Sequence, residues 1–133
     1  MILVDSSVWI DYFNGVENPQ SDKLDSLLGT HPIAIGDIIA TEVLQGFTND
    51  QDFRTAKQLI AEFTMLELLG KQRALKAAEI YRKLRKQGVT VRKTVDVIIG
   101  AYCIDEKLPL LYRDRDFDPM VSKLGLRSAL ELA

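Results

Sequence analysis

The sequence contains only one cysteine, Cys103, and only one histidine, His31, in 133 residues. A single cysteine excludes an intrachain disulfide, and the lack of a Cys/His cluster argues against a zinc site. Cys103 lies in an apolar stretch, which is typical of a core thiol rather than a nucleophile. His31 precedes Pro32 in a predicted solvated loop. This composition favours a reducing, cytoplasmic compartment.

Long hydrophobic runs and glycine-rich phosphate loops are also missing. No apolar run approaches the ~20 residues of a membrane span. The start, Met1 to Asp5, lacks a basic segment, so we expect neither a signal peptide nor a membrane partner. Neither GxGxxG nor GxxxxGKS/T occurs, which argues against the nucleotide sites built on those loops. The length suits one domain, expected to span residues 1–133.

The net charge of −2 conceals an uneven distribution of charge along the chain. Residues 1–52 contain nine acids and one base, whereas residues 71–93 contain nine bases and one acid. Such a chain can present an acidic pocket beside a basic surface, and basic surfaces attract polyanions. A solvated helix face is the alternative explanation of the basic segment.

Short apolar runs alternate with amphipathic stretches along the chain. The pattern predicts strands at 2–4, 32–35, 64–69, 108–112 and 125–128, and helices at 6–14, 22–28, 37–45, 50–63, 71–87 and 95–106. Ser6 or Ser7 and Thr94 are the expected N-caps of two of these helices. This alternation predicts an α/β fold with a mostly parallel central sheet flanked by helices.

Acidic residues recur where the predicted strands end. Asp5 follows the first strand, Glu42 lies in the helix after the second, and Asp96 lies in the first turn of an apolar helix. Asp114 follows the strand at 108–112, with Asp116 two residues later. Ligand sites of parallel sheets lie beyond the carboxyl ends of the strands. Clustered carboxylates repel one another unless a cation neutralises them, and Mg²⁺ or Mn²⁺ suits oxygen ligands.

Taken singly, each acid is also consistent with a helix cap, a surface position or a turn. The joint placement of the acids therefore carries the prediction of a metal site.

Five segments in order resemble the PIN domains of VapC-type toxins. They are LVDSSVWIDYF at 3–13, ATEVLQG at 40–46, AEIYRKLRKQGVT at 78–90, DVIIGAY at 96–102 and LLYRDRDF at 110–117. Together they cover nearly the whole chain. Two positions depart from the family pattern: Ser6 stands where Thr is common, and Tyr112 where Thr or His is common.

The resemblance implies a PIN-like α/β/α sandwich and a Mg²⁺-dependent endoribonuclease, with Mn²⁺ as a substitute. It also implies the toxin of a type II toxin–antitoxin pair, with RNA as substrate and a VapB-type antitoxin as partner. A homodimer is expected as well. Val43, Leu44 and Phe47 are candidates for its interface, although a core role explains them equally well.

The expected site has four principal acids. Asp5 and Asp96 are predicted to bind the main ion, with Asp114 in support. Glu42 is predicted to assist a second ion or to orient the attacking water. The fourth acid is left open between Asp114 and Asp116, with Asp114 favoured because it lies nearer the strand. Bases of residues 71–93, with Arg113 and Arg115, are expected to hold the RNA backbone.

Three alternative classes fit the sequence less well. A receiver domain usually needs an acidic pair at the first strand and a lysine after the last; here Ser6 and Ser7 follow Asp5, and no lysine follows the strand at 108–112 before Lys123. A dehalogenase-like phosphatase needs Asp-x-Asp after its first strand, which is also absent. A non-catalytic domain of the same architecture would not need to retain all the acids. The sequence does not specify which RNA is the target.

Overall fold

A four-stranded parallel sheet forms the centre of the computed structural model, which describes residues 1–132. The strands are β1 (Ile2–Val4), β2 (Ile33–Gly36), β3 (Thr64–Leu66) and β4 (Leu110–Leu111), in the order β3-β2-β1-β4. Leu3 of β1 lies opposite Ala34 on one side and Leu110 on the other. Every residue of β1, β2 and β4 is buried, as expected for strands covered on both faces.

Within the described residues 1–132, seven α-helices surround the sheet. They are α1 (Ser6–Phe13), α2 (Pro19–Leu27), α3 (Asp37–Gln45), α4 (Asp50–Ile60), α5 (Lys71–Lys86), α6 (Thr94–Glu106) and α7 (Asp118–Leu124). Two short 3₁₀ helices cover Arg115–Phe117 and Ala129–Glu131. The predicted α/β fold with a parallel sheet flanked by helices is therefore confirmed. Within residues 1–132, no helix has both the length and the apolar content needed to cross a bilayer. Ala133, the end of the predicted domain, lies outside the described residues.

Helix α2 begins at Pro19, three residues before the predicted start at Asp22. Asn18 and Ser21 form a reciprocal capping box: the Asn18 side chain accepts from the Ser21 N–H at 2.8 Å, and Ser21 Oγ accepts from the Asn18 N–H at 3.0 Å. Proline suits the first helical position, because its missing N–H has no partner there anyway. The Asn-Pro pair thus marks the start that the sequence prediction missed.

The predicted N-caps of α1 and α6 are wrong. Asp5, rather than Ser6 or Ser7, occupies the N-cap position of α1, and Lys93 rather than Thr94 occupies that of α6. Neither residue makes a side-chain capping hydrogen bond. Asp5 therefore precedes α1 without forming a regular side-chain cap.

The late strands are shorter than the sequence predicted. β3 ends at Leu66, and β4 contains only Leu110–Leu111. The strand expected at 125–128 is reduced to one parallel bridge between Leu110 and Ser128. Pro109 limits the pairing around β4, because a proline has no N–H to donate to a neighbouring strand.

The core explains several residues whose role the sequence left open. Trp9 is buried, and so is Val43, which the sequence left open between core and interface; Cys103 is a buried free thiol, as predicted. Leu44 and Phe47 are partly buried and pack against the same core. Val43 is therefore a core residue rather than part of an exposed apolar interface. His31 is exposed beside Pro32, as predicted.

Candidate metal centre

Five carboxylates gather at the carboxyl end of the sheet, and three of them meet directly. Carboxylate oxygens of Asp96, Asp114 and Asp116 lie within 4.8 Å of one another. Asp96 comes from the first turn of α6, and the other two come from the chain after β4. Three acids from two segments of the chain thus converge at the position that the sequence predicted.

Asp5 completes the site from the end of β1. Its side chain is buried, with the residue only 3% exposed. Burial raises the pKa of Asp5 because it disfavours the charged carboxylate; the Ser7 hydroxyl opposes this rise, and the charge of Glu42 adds to it. The influence of Glu42 links α3 electrostatically to the acid that follows β1.

The charges of three other acids affect the pKa of Asp96. Burial, followed by the charges of Asp5, Asp114 and Asp116, raises its pKa to about 7, while Lys93 opposes the rise. A carboxyl group that titrates near neutrality within a cluster of acids marks a site adapted to hold positive charge.

Three of these acids each have a buried oxygen without a hydrogen-bond partner among residues 1–132. The atoms are Asp5 Oδ1, Glu42 Oε1 and Asp96 Oδ2. Buried polar atoms normally find a partner, and an unpartnered one costs about 1–3 kcal/mol. The site is therefore rich in oxygen ligands that the protein itself leaves unsatisfied. An all-oxygen donor set suits a hard divalent cation such as Mg²⁺ or Mn²⁺.

Two bases from the segment before α6 lie against the outer acids. Arg92 contacts Asp116 at 3.3 Å from Nε, and Lys93 Nζ lies 3.7 Å from Asp114 Oδ2. Both bases are largely exposed, so each pair contributes little to stability. Both bases were predicted to hold RNA, and their contact with the acids is not evident from the sequence, because the segment after β4 approaches α6 only in the folded chain.

A third ion pair lies beside the site. Arg113, next to Asp114, binds Asp11 of α1 with 2.7 Å between Nε and Oδ2. The side-chain amide of Asn18 donates to the same Asp11 oxygen at 2.9 Å. Arg113, predicted to hold RNA, is thus oriented by α1 and lies beside the acids.

Some predicted RNA-binding bases have other partners. Arg73 binds Asp105 and Glu106, and Lys76 binds Asp105 at 2.9 Å. These pairs connect α5 to α6 at the end away from Asp96. Arg82 and Arg85, in contrast, form no ion pair with any of the residues 1–132.

Two hydroxyl groups near the acids donate hydrogen bonds to carboxylates. Ser7, rather than Ser6, donates to Asp5 Oδ2 at 2.9 Å. Tyr112 donates to Asp118 Oδ1 at 2.8 Å, so its hydroxyl points toward the start of α7. Asp114 Oδ1 accepts from the Asp116 N–H at 2.9 Å, which fixes the turn carrying both acids.

Comparisons with known proteins agree with this geometry. The family model of the PIN domain matches residues 2–121. The chain is 32% identical over 131 residues to Ribonuclease VapC11 of Mycobacterium tuberculosis, covering 97% of this chain and 98% of the relative.

Two solved structures share the fold. VapBC2 from Rickettsia felis, bound to a DNA fragment from its promoter, superimposes with a TM-score of 0.74 at 15% identity, covering 96% of this chain and 97% of that one. A toxin–antitoxin complex from Klebsiella pneumoniae superimposes with a TM-score of 0.62 at 23% identity, covering 88% and 90%.

Proposed function

This chain belongs to the PIN-domain family, among the VapC-type proteins, and we propose that it is a Mg²⁺-dependent endoribonuclease. The relative VapC11 is a ribonuclease and matches the chain over almost its full length. We further propose that the protein is the toxin of a type II toxin–antitoxin pair. Its RNA cleavage would be restrained by a VapB-type antitoxin.

The convergence of Asp96, Asp114 and Asp116, together with the unsatisfied buried oxygens of Asp5, Glu42 and Asp96, is the observation that carries the catalytic proposal. The raised pKa of Asp96, about 7, indicates that the protein alone does not neutralise this cluster. A non-catalytic domain would gain nothing from burying Asp5 and Asp96 in mutual repulsion.

In the proposed site, Asp5 and Asp96 hold the main ion directly and Asp114 supports it. Asp116 is the alternative fourth acid. A divalent ion bound there supplies activation of water and stabilisation of charge on the scissile phosphate. In-line attack by water would leave a 3′-hydroxyl and a 5′-phosphate.

The remaining residues position these groups. Ser7 donates a hydrogen bond to Asp5 Oδ2, whereas Asp5 Oδ1 has no hydrogen-bond partner within residues 1–132. Glu42 has an oxygen with no protein partner within residues 1–132, which suits it to orient the attacking water and accept its proton, or to assist a second ion. Arg113, held by Asp11, is oriented to contact a substrate phosphate.

The antitoxin partner is proposed from the family and from the toxin–antitoxin complex that shares the fold. An antitoxin arginine placed against the carboxylates would satisfy the oxygens otherwise available to a cation. The expected homodimer remains a prediction, and its interface cannot use Val43, which is buried in the core.

The experiment is cleavage of an end-labelled RNA by the purified chain, with Mg²⁺ or with a chelator. We expect cleavage only with the metal, and products that a 5′-phosphate-dependent ligase can join. Asp5→Ala and Asp96→Ala proteins should be inactive. His31→Ala is the matched control, because His31 is exposed and remote from the carboxylates.

Cleavage that persists in chelator, or unchanged in both aspartate variants, would show that the acids are not the active site. Absence of any cleavage, together with no stabilisation of the fold by Mg²⁺ or Mn²⁺, would identify a non-catalytic domain instead.

A further inference from the structure

A cleft of about 550 Å³ lies between α5 and α6, beside the acidic site. Alanines at three positions of α5, Ala74, Ala77 and Ala78, leave the space open. Val97 and Ile98 of α6 form the opposite wall. The volume is within the range of pockets that bind small organic groups.

The charged side chains lining this cleft are all of one sign. They are Arg82, Arg85 and Arg92, and no carboxylate from residues 1–132 lines it. Tyr81 also lines the cleft, and the Arg85 guanidinium lies 5.5 Å from the centre of its ring. An apolar floor, an aromatic ring and several arginines are the combination that binds single-stranded nucleic acid by stacking and phosphate contact.

The cleft is continuous with the acidic site through two elements. Arg92 lines the cleft and also contacts Asp116. Thr94 and Val97, on either side of Asp96 in α6, line the cleft as well. An RNA strand that places one phosphate at Asp96 therefore brings its next nucleotide to the mouth of the cleft.

We propose that this cleft is a specificity subsite that binds one unpaired nucleotide adjacent to the scissile phosphate; the inference rests on the proposed ribonuclease function. The base lies against Tyr81, Val97 and Ile98, and the flanking phosphates contact Arg82 and Arg92. Arg92 is largely exposed and its ion pair with Asp116 is weak, so exchanging the carboxylate for a phosphate costs little. A base-paired nucleotide cannot enter, so the subsite selects single-stranded RNA.

The test uses the full chain, ¹³C-labelled at the alanine methyl groups, in chelator so that no metal-dependent cleavage occurs. The probe is an eight-nucleotide single-stranded RNA of mixed sequence. We expect the methyl signals of Ala74, Ala77 and Ala78 to shift on titration. Alanines elsewhere in the fold, at positions 56, 61 and 129, serve as internal controls. The same RNA annealed to its complement should leave all of these signals unchanged.

A pair of substitutions on α5 provides the matched variants. Ala78→Met fills the cleft and should weaken binding of the single-stranded RNA by about tenfold, since stacking of one base contributes about 1–3 kcal/mol. Gln72→Met, on the same helix but outside the cleft, should bind as the unmodified chain does. Circular dichroism verifies that both variants are folded. Ala78 and Gln72 are both exposed, which favours a folded variant in each case.

RNA binding without shifts at the three cleft alanines, or undiminished binding by Ala78→Met, overturns the subsite. If Ala78→Met instead alters only self-association or antitoxin binding, the cleft is a protein interface and the proposal is wrong. Failure of the ribonuclease function is separate, because it appears as absent cleavage on adding Mg²⁺, whereas this titration requires no catalysis.

Discussion

The individual carboxylates of this site lower the stability of the fold but serve the proposed function. Asp5 and Asp96 are buried near other acids, an arrangement that burial and repulsion both disfavour. The protein partly offsets the repulsion with Lys93 and Arg92, which lie at the outer acids. The inner oxygens remain without a protein partner, within residues 1–132, and these are the atoms a cation would bind.

The pKa of Asp96 predicts how the metal-free protein responds to pH. Its folded-state value of about 7 lies above the ordinary 3.8, so the folded protein binds more protons than the unfolded chain between these values. Stability should therefore fall as pH rises from about 4 to about 7. Asp96→Asn removes the ionisation and should raise the free energy of unfolding at pH 8 by on the order of 2 kcal/mol, allowing for solvent screening.

Urea denaturation in chelator at pH 5 and pH 8 measures this effect. The variant's advantage should be large at pH 8 and small at pH 5. An Asp96→Asn protein that is less stable than the unmodified chain at pH 8 would contradict the raised pKa.

Substituting Asp114 and Asp116 one at a time tests which of the two is the fourth acid of the site. The charge of Asp114 acts more strongly on Asp96 than that of Asp116, and Asp114 also caps the turn that carries both. We expect Asp114→Asn to lower the rate of RNA cleavage by about 100-fold and Asp116→Asn by about tenfold, the range for groups that support metal ligands. Single-turnover rates at saturating Mg²⁺ provide the comparison, and a larger loss for Asp116→Asn would reverse the assignment.

At the level of the elements, local sequence signals predicted the helices better than the late strands. Glycines and apolar periodicity marked α3 and α5, both of which begin at the predicted residue. The pairing partners of β4 come from distant parts of the chain, so its two-residue length is set by tertiary contacts. Helix α7 was not predicted, because its seven residues are too few to show a clear period.

The junction of β2 with α3 depends on Gly36, the last residue of β2. A Cβ at Gly36 would lie 2.3 Å from Leu68 Cδ1 and 2.7 Å from Leu68 Cγ, and Leu68 is fully buried. Gly36→Ala should therefore lower the free energy of unfolding by about 1–3 kcal/mol, the usual cost of overpacking a core.

Gly46→Ala is the matched control for this substitution. Gly46 also has a negative φ, and its nearest contact would be an ordinary 3.6 Å. Urea denaturation of both variants tests the packing. Equal stability of the two would show that Leu68 moves aside at no cost.

For the whole molecule, the sequence predicted the identity of the acids but not their surroundings. Strand-end positions and the family resemblance predicted a site of Asp5, Asp96 and Asp114; the fold brings Asp96 and Asp114 together with Asp116, and the charge of Asp5 acts on Asp96. The pairing of Arg92 with Asp116 depends on the approach of two segments 24 residues apart, which no local pattern encodes. The open cleft between α5 and α6 was likewise invisible, because alanines in a helix predict helicity rather than a cavity.

Distant parts of the folded chain are needed together for the proposed activity, since the acids come from the residue after β1, from α3, from α6 and from the segment after β4. The most direct test is the rate of RNA cleavage as Mg²⁺ is added to metal-free protein, compared between the unmodified chain and Asp96→Asn. We predict a saturable rise for the unmodified chain and a rate at least about 100-fold lower for the variant at every Mg²⁺ concentration. Equal rates in the two proteins, or a rate independent of Mg²⁺, would contradict the assignment of these carboxylates as a metal-dependent ribonuclease site.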